Sequence, residues 1–287
     1  MESTPLVSFE QERGRLFGIA YRMLGSVSEA EDVVQDAYLR WHGVDHAAVA
    51  HPGAYLAQLV TRLCLDALKS AHARRVEYYG VWLPEPLVGA EDDDPAAMHE
   101  LAEDLSLAFL LMLERLSPVE RAVFLLRESF GFSHREVAEV VGKSEENCRQ
   151  IERRARQRLA DAKRPAAADP AEHDRLLGRF LTAVRDGDME GLLEVLAEDA
   201  VAYSDGGGRV LAAPNPIRGA DRVARFFLGI TSKGAAVWEP LLVPVNGRTG
   251  MVGLVEGHPH GVLSIQVEDG RIRSVFLVVN PDKLPPG

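Results

Sequence analysis

Apolar residues recur at intervals of three and four through the first 75 positions. Leu16, Ile19, Ala20, Met23 and Leu24 mark one stripe, and Val33, Val34, Ala37, Tyr38 and Trp41 a second. Leu56, Leu59, Val60, Leu63 and Leu68 mark a third. Such spacing puts each set on one face of an α-helix, so the pattern predicts amphipathic helices almost throughout this stretch. SEAE, Ser28 to Glu31, has the spacing of a capping box and is expected to open the second helix. Pro52 falls near the first turn of the third, where its missing N–H costs nothing. The pattern then breaks at YYGVWLPEP, Tyr78 to Pro86, and at the acidic run Glu91 to Asp94. Prolines end helices and like charges keep a segment extended, so an exposed connection is expected here.

Helical periodicity returns from about residue 100. SPVE, Ser117 to Glu120, combines an N-cap serine, a proline at the first helical position and a glutamate at the third. SHRE, Ser133 to Glu136, is a second capping box; the helix it opens runs through Val140 and stops at Gly142. Ser144 can cap the next helix, and Glu145 and Glu146 lie where the macrodipole favours anions. A short helix, a tight glycine turn and a long basic helix make a helix-turn-helix layout. In it Val137, Ala138, Val140, Val141, Ile151, Ala155 and Leu159 face inward. Lys143, Asn147, Arg149, Gln150, Arg153 and Arg154 stay on or near the solvent side.

After KRPAAADPAEH the character changes. Two short helical patterns, DRLLGRFLTAVRDG and MEGLLEVLA, precede VAYSDGGGRV, a third helix around ADRVARFFLGI, and strand-like segments punctuated by Gly, Pro and Asn. Asp269-Gly270 separates two alternating runs and signals a hairpin. The expected fold class is therefore multidomain: all-α domains followed by an α+β domain whose helices precede a curved antiparallel sheet.

Composition narrows the setting. The 287 residues suffice for two or three domains with their own cores, and 46% hydrophobic residues is ordinary globular composition. No apolar run approaches a membrane span and the first residues lack the form of a signal peptide, so a cytoplasmic protein is expected. Cys64 and Cys148 sit in helical patterns without metal-ligand spacing and read as buried small hydrophobes. The net charge of −11 argues against general nucleic-acid binding, yet residues 149–164 hold seven basic residues against two acidic ones. The charge is segregated.

That segregation gives the helix-turn-helix its chemistry, because Arg, Asn and Gln read base edges while Arg and Lys hold phosphates. Asp32, Gln35 and Asp36 share one side of a helix, and such an acidic and amide face suits a basic protein partner. Arg62, Lys69, Arg74 and Arg75 offer cations to a DNA strand. In the α+β domain Asp205, His258 and His260 are acid/base candidates, but three consecutive glycines after Asp205 read as a mobile or tightly turned loop, a poor holder for a base. HPH, His258 to His260, has no third ligand in sequence, so no metal and no cofactor are expected.

FEQERGRLFGIAYRMLGSVSEAEDVVQDAYLRW resembles the second conserved region of the group-four, extracytoplasmic-function sigma factors. LSPVERAVFLLRESFGFSHREVAEVVGKSEENCRQIERRARQRL resembles their fourth region. The resemblance covers residues 9–80 and 100–163. It implies that Asp32, Gln35 and Asp36 meet the clamp helices of the RNA polymerase largest subunit, and that Arg62, Lys69, Arg74 and Arg75 serve the downstream promoter element. It further implies that the fourth region meets the polymerase flap and reads the upstream element through Lys143, Ser144, Asn147, Arg149, Gln150, Arg153 and Arg154.

Residues 172–284 resemble the cone fold of the nuclear-transport-factor-2 and ketosteroid-isomerase superfamily, especially its SnoaL-like branch. WLPEP, DGGGR and NPDKL match the pattern of sigma factors that carry a SnoaL-like extension, often called ECF41. That resemblance implies control by the fused domain with no separate anti-sigma protein. It assigns an interdomain role to Trp82, Leu83, Pro84, Asp205, Gly206, Gly207, Gly208, Arg209, Asn280, Pro281, Asp282, Lys283 and Leu284. The expected organisation is sigma region 2 over 1–80, a linker over 81–99, sigma region 4 over 100–164, a linker over 165–171 and the SnoaL-like domain over 172–287. The rival readings are a ligand-responsive helix-turn-helix regulator, its small molecule held in the cone, and a sigma-fused polyketide-cyclase or isomerase-like enzyme.

Overall fold

The computed structural model describes residues 4–76, 78–89, 105–160, 168–232 and 238–286. It forms two compact units, Met1–Val76 with Leu110–Arg164, and Glu77–Phe109 with Pro165–Gly287. The acidic run Glu91 to Asp94 lies outside the described residues.

The first unit is helical. α1 (Thr4–Leu24), α2 (Val27–His42) and α3 (Pro52–Val76) pack on one another, burying Leu16, Ile19, Leu24, Ala37, Trp41, Leu56 and Val60. The helical periodicity is therefore the burial pattern. The start of α2 differs from expectation: its N-cap is Ser26, whose Oγ accepts the Glu29 N–H at 3.3 Å, and Ser28 lies inside the first turn. Gly25, at φ 68°, turns the chain out of α1, so the next extended residue is Ser26 and the helix begins earlier than the Ser28 box would set it.

α4 (Leu107–Leu113) contains the boundary between the units. α5 (Pro118–Glu128) and α6 (His134–Val141) open on complete capping boxes, Ser117 with Glu120 and Ser133 with Glu136. α6 closes on Gly142 in the left-handed region, and Ser144 Oγ accepts the Asn147 N–H as α7 (Glu145–Ala160) begins. Val137, Val140, Cys148, Ile151, Ala155 and Leu159 are buried. α1 packs against α5, and α3 against α5 and α6, so the two helical halves form one body.

In the second unit α8 (Pro170–Asp186) and α9 (Met189–Val195) lead into β1 (Leu196–Asp205). β2 (Ile217–Arg218), α10 (Ala220–Ser232), β3 (Glu239–Val245), β4 (Arg248–Val255), β5 (His258–Glu268) and β6 (Arg271–Val278) follow. The sheet order is β2-β1-β6-β5-β4-β3. β3 to β6 form an antiparallel meander with two-residue turns at Asn246-Gly247, Glu256-Gly257 and Asp269-Gly270, every one of these residues at positive φ. That is the type I′ geometry whose twist suits a hairpin.

The sheet is not purely antiparallel as expected: β1 runs parallel to β6. β2, α10 and β3 to β5 intervene between them in the chain, so no local turn in the sequence encodes their pairing. One sheet face and the helices enclose Leu176, Phe180, Val195, Ala202, Phe227, Leu263 and Leu277. On the other face Val245, Val252 and Val262 are covered by Val88 and Leu284, from the linker and the tail.

Candidate functional site

The solvent face of α7 sorts its basic residues into two groups. Arg156 pairs with Glu128 and, at 2.7 Å, with Glu152; Arg158 pairs with Glu120 at 2.6 Å. These arginines brace α7 against α5. Arg149 pairs with Glu145 along the helix at 3.1 Å, and Arg154 donates to the Gln150 carbonyl. Lys143 and Arg153 are exposed, and their side chains make no ion pair or hydrogen bond among the described residues. Ser144 and Gln150 are exposed and Asn147 is half-buried. The outer surface therefore presents the mixture of cations and amides that duplex DNA requires.

On α2, Asp32, Gln35 and Asp36 are exposed while Val33, Val34 and Ala37 are buried. Leu39, one turn beyond, is 61% exposed and adds an apolar contact to this acidic face. Arg62 is engaged within the helical unit. Its Nη2 donates to the Glu139 carbonyl at 2.8 Å and its Nε to the Val140 carbonyl at 3.3 Å, so it caps the C-terminus of α6. The orphan carbonyls and negative pole of a helix end attract a guanidinium. Lys69 pairs with Asp66 at 2.7 Å on the surface, and the side chains of Arg74 and Arg75 lie outside the described residues.

In the second unit three segments converge. Because β1 and β6 are parallel, their C-terminal ends lie together, with Asp205 opposite Val278. DGGGR and NPDKL therefore leave the sheet at the same edge. Asp205 is fully buried at the end of β1, and of the mobile or tightly turned loop expected after it the structure has the tight turn, with the Arg209 and Val210 N–H groups donating to the Gly206 carbonyl. Its Oδ1 accepts from the Tyr78 hydroxyl at 2.5 Å and the Gly207 N–H at 3.0 Å; its Oδ2 accepts from the Leu83 N–H at 2.9 Å and from Lys283 Nζ at 2.8 Å. Four donors on one carboxylate satisfy a charge that could not otherwise be buried.

Lys283 Nζ also donates to the Leu83 carbonyl at 2.6 Å and lies over the rings of Trp82 and Tyr78, at 4.3 and 5.1 Å. Asn280 donates to the Tyr78 hydroxyl at 3.0 Å, and its Oδ1 accepts the Asp282 N–H. Gly207 is at φ 64°, and a Cβ there would come within 2.5 Å of the Asn280 amide, so both backbone and space demand glycine. Arg209 and Asp282 make an exposed pair at 3.0 Å, Leu83 is fully buried, and Leu284 packs on the sheet. Burial, followed by the hydrogen bond to Asp205, drives the Tyr78 phenol well above its ordinary range.

Two participants were missed in the sequence. Tyr78 was visible only as part of an aromatic linker, and Asn246 only as turn punctuation, although Asn-Gly is itself a hairpin signal. Asn246 is buried in the β3–β4 turn and bonds the linker at Leu87 and Leu105.

Neither His258 nor His260 is hydrogen-bonded to Asp205 among the described residues. A cleft of about 540 Å³ is lined by Glu198, Asp199, Glu268, Asp269, Arg271 and Arg273 with Leu193 and Leu196; there Arg273 pairs with Asp199 and Glu268, and Arg271 donates to backbone carbonyls. No cluster of metal-ligating side chains occurs among the described residues.

A helix-turn-helix with a basic outer face, an acidic helix ahead of it and an α+β domain fastened to the connection define a transcription-initiation protein. The chain belongs to the extracytoplasmic-function RNA polymerase sigma factors. Residues 9–75 match the model of Sigma-70 region 2, and residues 106–159 that of Sigma-70, region 4. The chain is 38% identical to the ECF RNA polymerase sigma factor SigJ of Mycobacterium tuberculosis, over 96% of this chain and 91% of that one. It is 32% identical to the probable ECF RNA polymerase sigma factor SigI of the same species, over 97% and 94%. The crystal structure of M. tuberculosis SigJ superposes with a TM-score of 0.79 at 36% identity and covers 97% of both chains.

The protein is accordingly a sigma factor, which binds core RNA polymerase and promoter DNA and is not itself an enzyme. Its second unit is α+β, with helices packed on one face of a six-stranded sheet. The rival readings as a separate regulator or a fused enzyme are not favoured.

Proposed function

We propose that this sigma factor is regulated in cis by its SnoaL-like domain, which holds the connection between the two promoter-reading modules. The observation that carries the reading is the carboxylate of Asp205, which gathers Tyr78 and Leu83 from the linker and Lys283 from the tail. With the linker docked, the modules have restricted freedom to reach two DNA elements at once, and their effective concentrations change without any new DNA contact.

Within this reading Asp32, Gln35 and Asp36 meet the clamp helices of the polymerase largest subunit, with Leu39 as their apolar neighbour. Lys69, Arg74 and Arg75 serve the downstream element. Lys143, Ser144, Asn147, Arg149, Gln150, Arg153 and Arg154 read the upstream element, and the same domain meets the flap. The fused domain takes the part of a separate anti-sigma protein. The chain works in the cytoplasm; no helix among the described residues is long and apolar enough to cross a membrane.

Reconstituted transcription with core polymerase tests the proposal. The full chain, a chain ending before Asn280 and Lys283→Met should differ in promoter-dependent transcript. Identical output from all three would remove the regulatory role of the tail.

A further inference from the structure

The buried Asn246 addresses two separate points of the linker. Its Oδ1 accepts the Leu87 N–H at 3.2 Å, its backbone N–H donates to the Leu87 carbonyl at 2.8 Å, and its Nδ2 donates to the Leu105 carbonyl at 2.8 Å. Val88 makes an antiparallel bridge with Val245, and the Gly89 N–H reaches the Pro244 carbonyl at 3.0 Å. Leu87 and Leu105 are thus held by one side chain, and the chain between them leaves and returns at the same place.

We propose that Asn246 is a staple that sets the working length of the tether between the two promoter-reading modules. It thereby determines which spacing of upstream and downstream elements the protein accepts. The proposal rests on the two-module reading given above.

The connection from Val76 to Leu110 is 33 residues long, and a closed staple removes the 17 residues between Leu87 and Leu105 from it. At roughly 3.3–3.6 Å per residue, those 17 residues represent up to about 60 Å of extended reach. Opening the staple doubles the tether in residues, and the effective concentration of the second module at its element then falls about threefold, following the −3/2 power of length.

The chemistry singles out asparagine. The turn needs positive φ, here 53°, which Asn tolerates better than most residues. One partner is an N–H and the other a carbonyl, so an amide can serve both at once. Asn246→Gly keeps the turn and loses both side-chain bonds. Asn246→Asp keeps the acceptor for Leu87 and loses the donor to Leu105.

The test uses the full chain with core polymerase and a promoter series whose element spacing is changed stepwise. A short Gly/Ser insert at Asp94 is added to both the wild type and Asn246→Gly. The wild type should show a narrow spacing optimum that the insert leaves unchanged, since the insert falls between the two stapled residues, Leu87 and Leu105. Asn246→Gly and Asn246→Asp should broaden the optimum and lower output at the best spacing about threefold, and the insert should broaden Asn246→Gly further. A wild-type profile altered by the insert overturns the staple. So does an Asn246 variant that melts normally and keeps the wild-type profile. A wild type with no spacing optimum at all overturns the two-module reading, and the staple with it.

Discussion

Lys283 Nζ lies 2.8 Å from Asp205 Oδ2 and 4.3 Å from the centre of the Trp82 ring. One ammonium therefore joins the tail, the end of β1 and the linker. Asp205 is fully buried and the Lys283 side chain is 11% exposed, so removing one member leaves the other uncompensated. Lys283→Met should destabilise the second unit by about 3–5 kcal/mol, whereas Asp205→Asn combined with Lys283→Met should recover part of that loss. Thermal melts of the four proteins in the cycle measure it; a double-variant loss equal to the sum of the two single losses would refute the coupling.

Trp82 and Leu83 should separate by mechanism. Leu83 is fully buried, and Leu83→Ala should cost about 2–5 kcal/mol through lost packing. Trp82→Ala removes a half-buried ring and its contact with Lys283, worth about 1–2 kcal/mol for a partly desolvated cation–π pair. Both should speed proteolysis of residues 78–89, Leu83→Ala more. Unchanged cleavage in Trp82→Ala would show that its ring does not hold the linker.

Tyr78 sets an alkaline limit. Its phenol is raised in the folded state, so the folded protein holds this proton where the unfolded chain, with an ordinary value near 10, releases it. Its stabilising contribution is complete below pH 10 and is lost as pH rises above that value towards the folded one. Linker docking should weaken in that window in the wild type, and Tyr78→Phe should lack this pH dependence while docking less tightly throughout. Phenolate absorbance and linker proteolysis, followed together, check it.

The arginines of the helical unit should divide as their partners do. Arg153→Ala should lower promoter affinity on all sequences and reduce the salt slope by about 1. Arg158→Ala, which loses its contact with Glu120, should leave the slope unchanged and lower stability by about 0.5–1 kcal/mol. Arg62→Ala should loosen α3 from α6 by about 1 kcal/mol. A salt slope reduced by Arg62→Ala as much as by Arg153→Ala would return Arg62 to the DNA.

Local chemistry carried much of this fold into the sequence. Ser117 with Glu120, Ser133 with Glu136, Gly142 and Asp269-Gly270 each specify a boundary through neighbours within a few residues, and each stands where the pattern put it. Ser26 escaped because Gly25 decides where α2 can begin. The parallel pairing of β1 with β6 joins segments about seventy residues apart, and nothing local specifies it. The same holds for Asp205: its glycines leave a mobile and a tightly turned loop equally open, and its burial comes from Tyr78, Leu83 and Lys283, far away in the chain. WLPEP, DGGGR and NPDKL bring most of these residues into one set, whereas Tyr78 precedes WLPEP and Asn246 stands in a distant hairpin turn, joined to the linker only by the fold.

The ammonium that completes the lock belongs to residue 283, made 119 residues after Arg164 closes the helical unit. At roughly 5–20 residues per second of synthesis, that interval lasts on the order of ten seconds, and domains fold from the N-terminal side first. Every newly made molecule thus passes through a stage in which both promoter-reading modules are complete and Asp205 has no lysine. The order of translation gives the protein a brief unlocked youth before its own tail arrives.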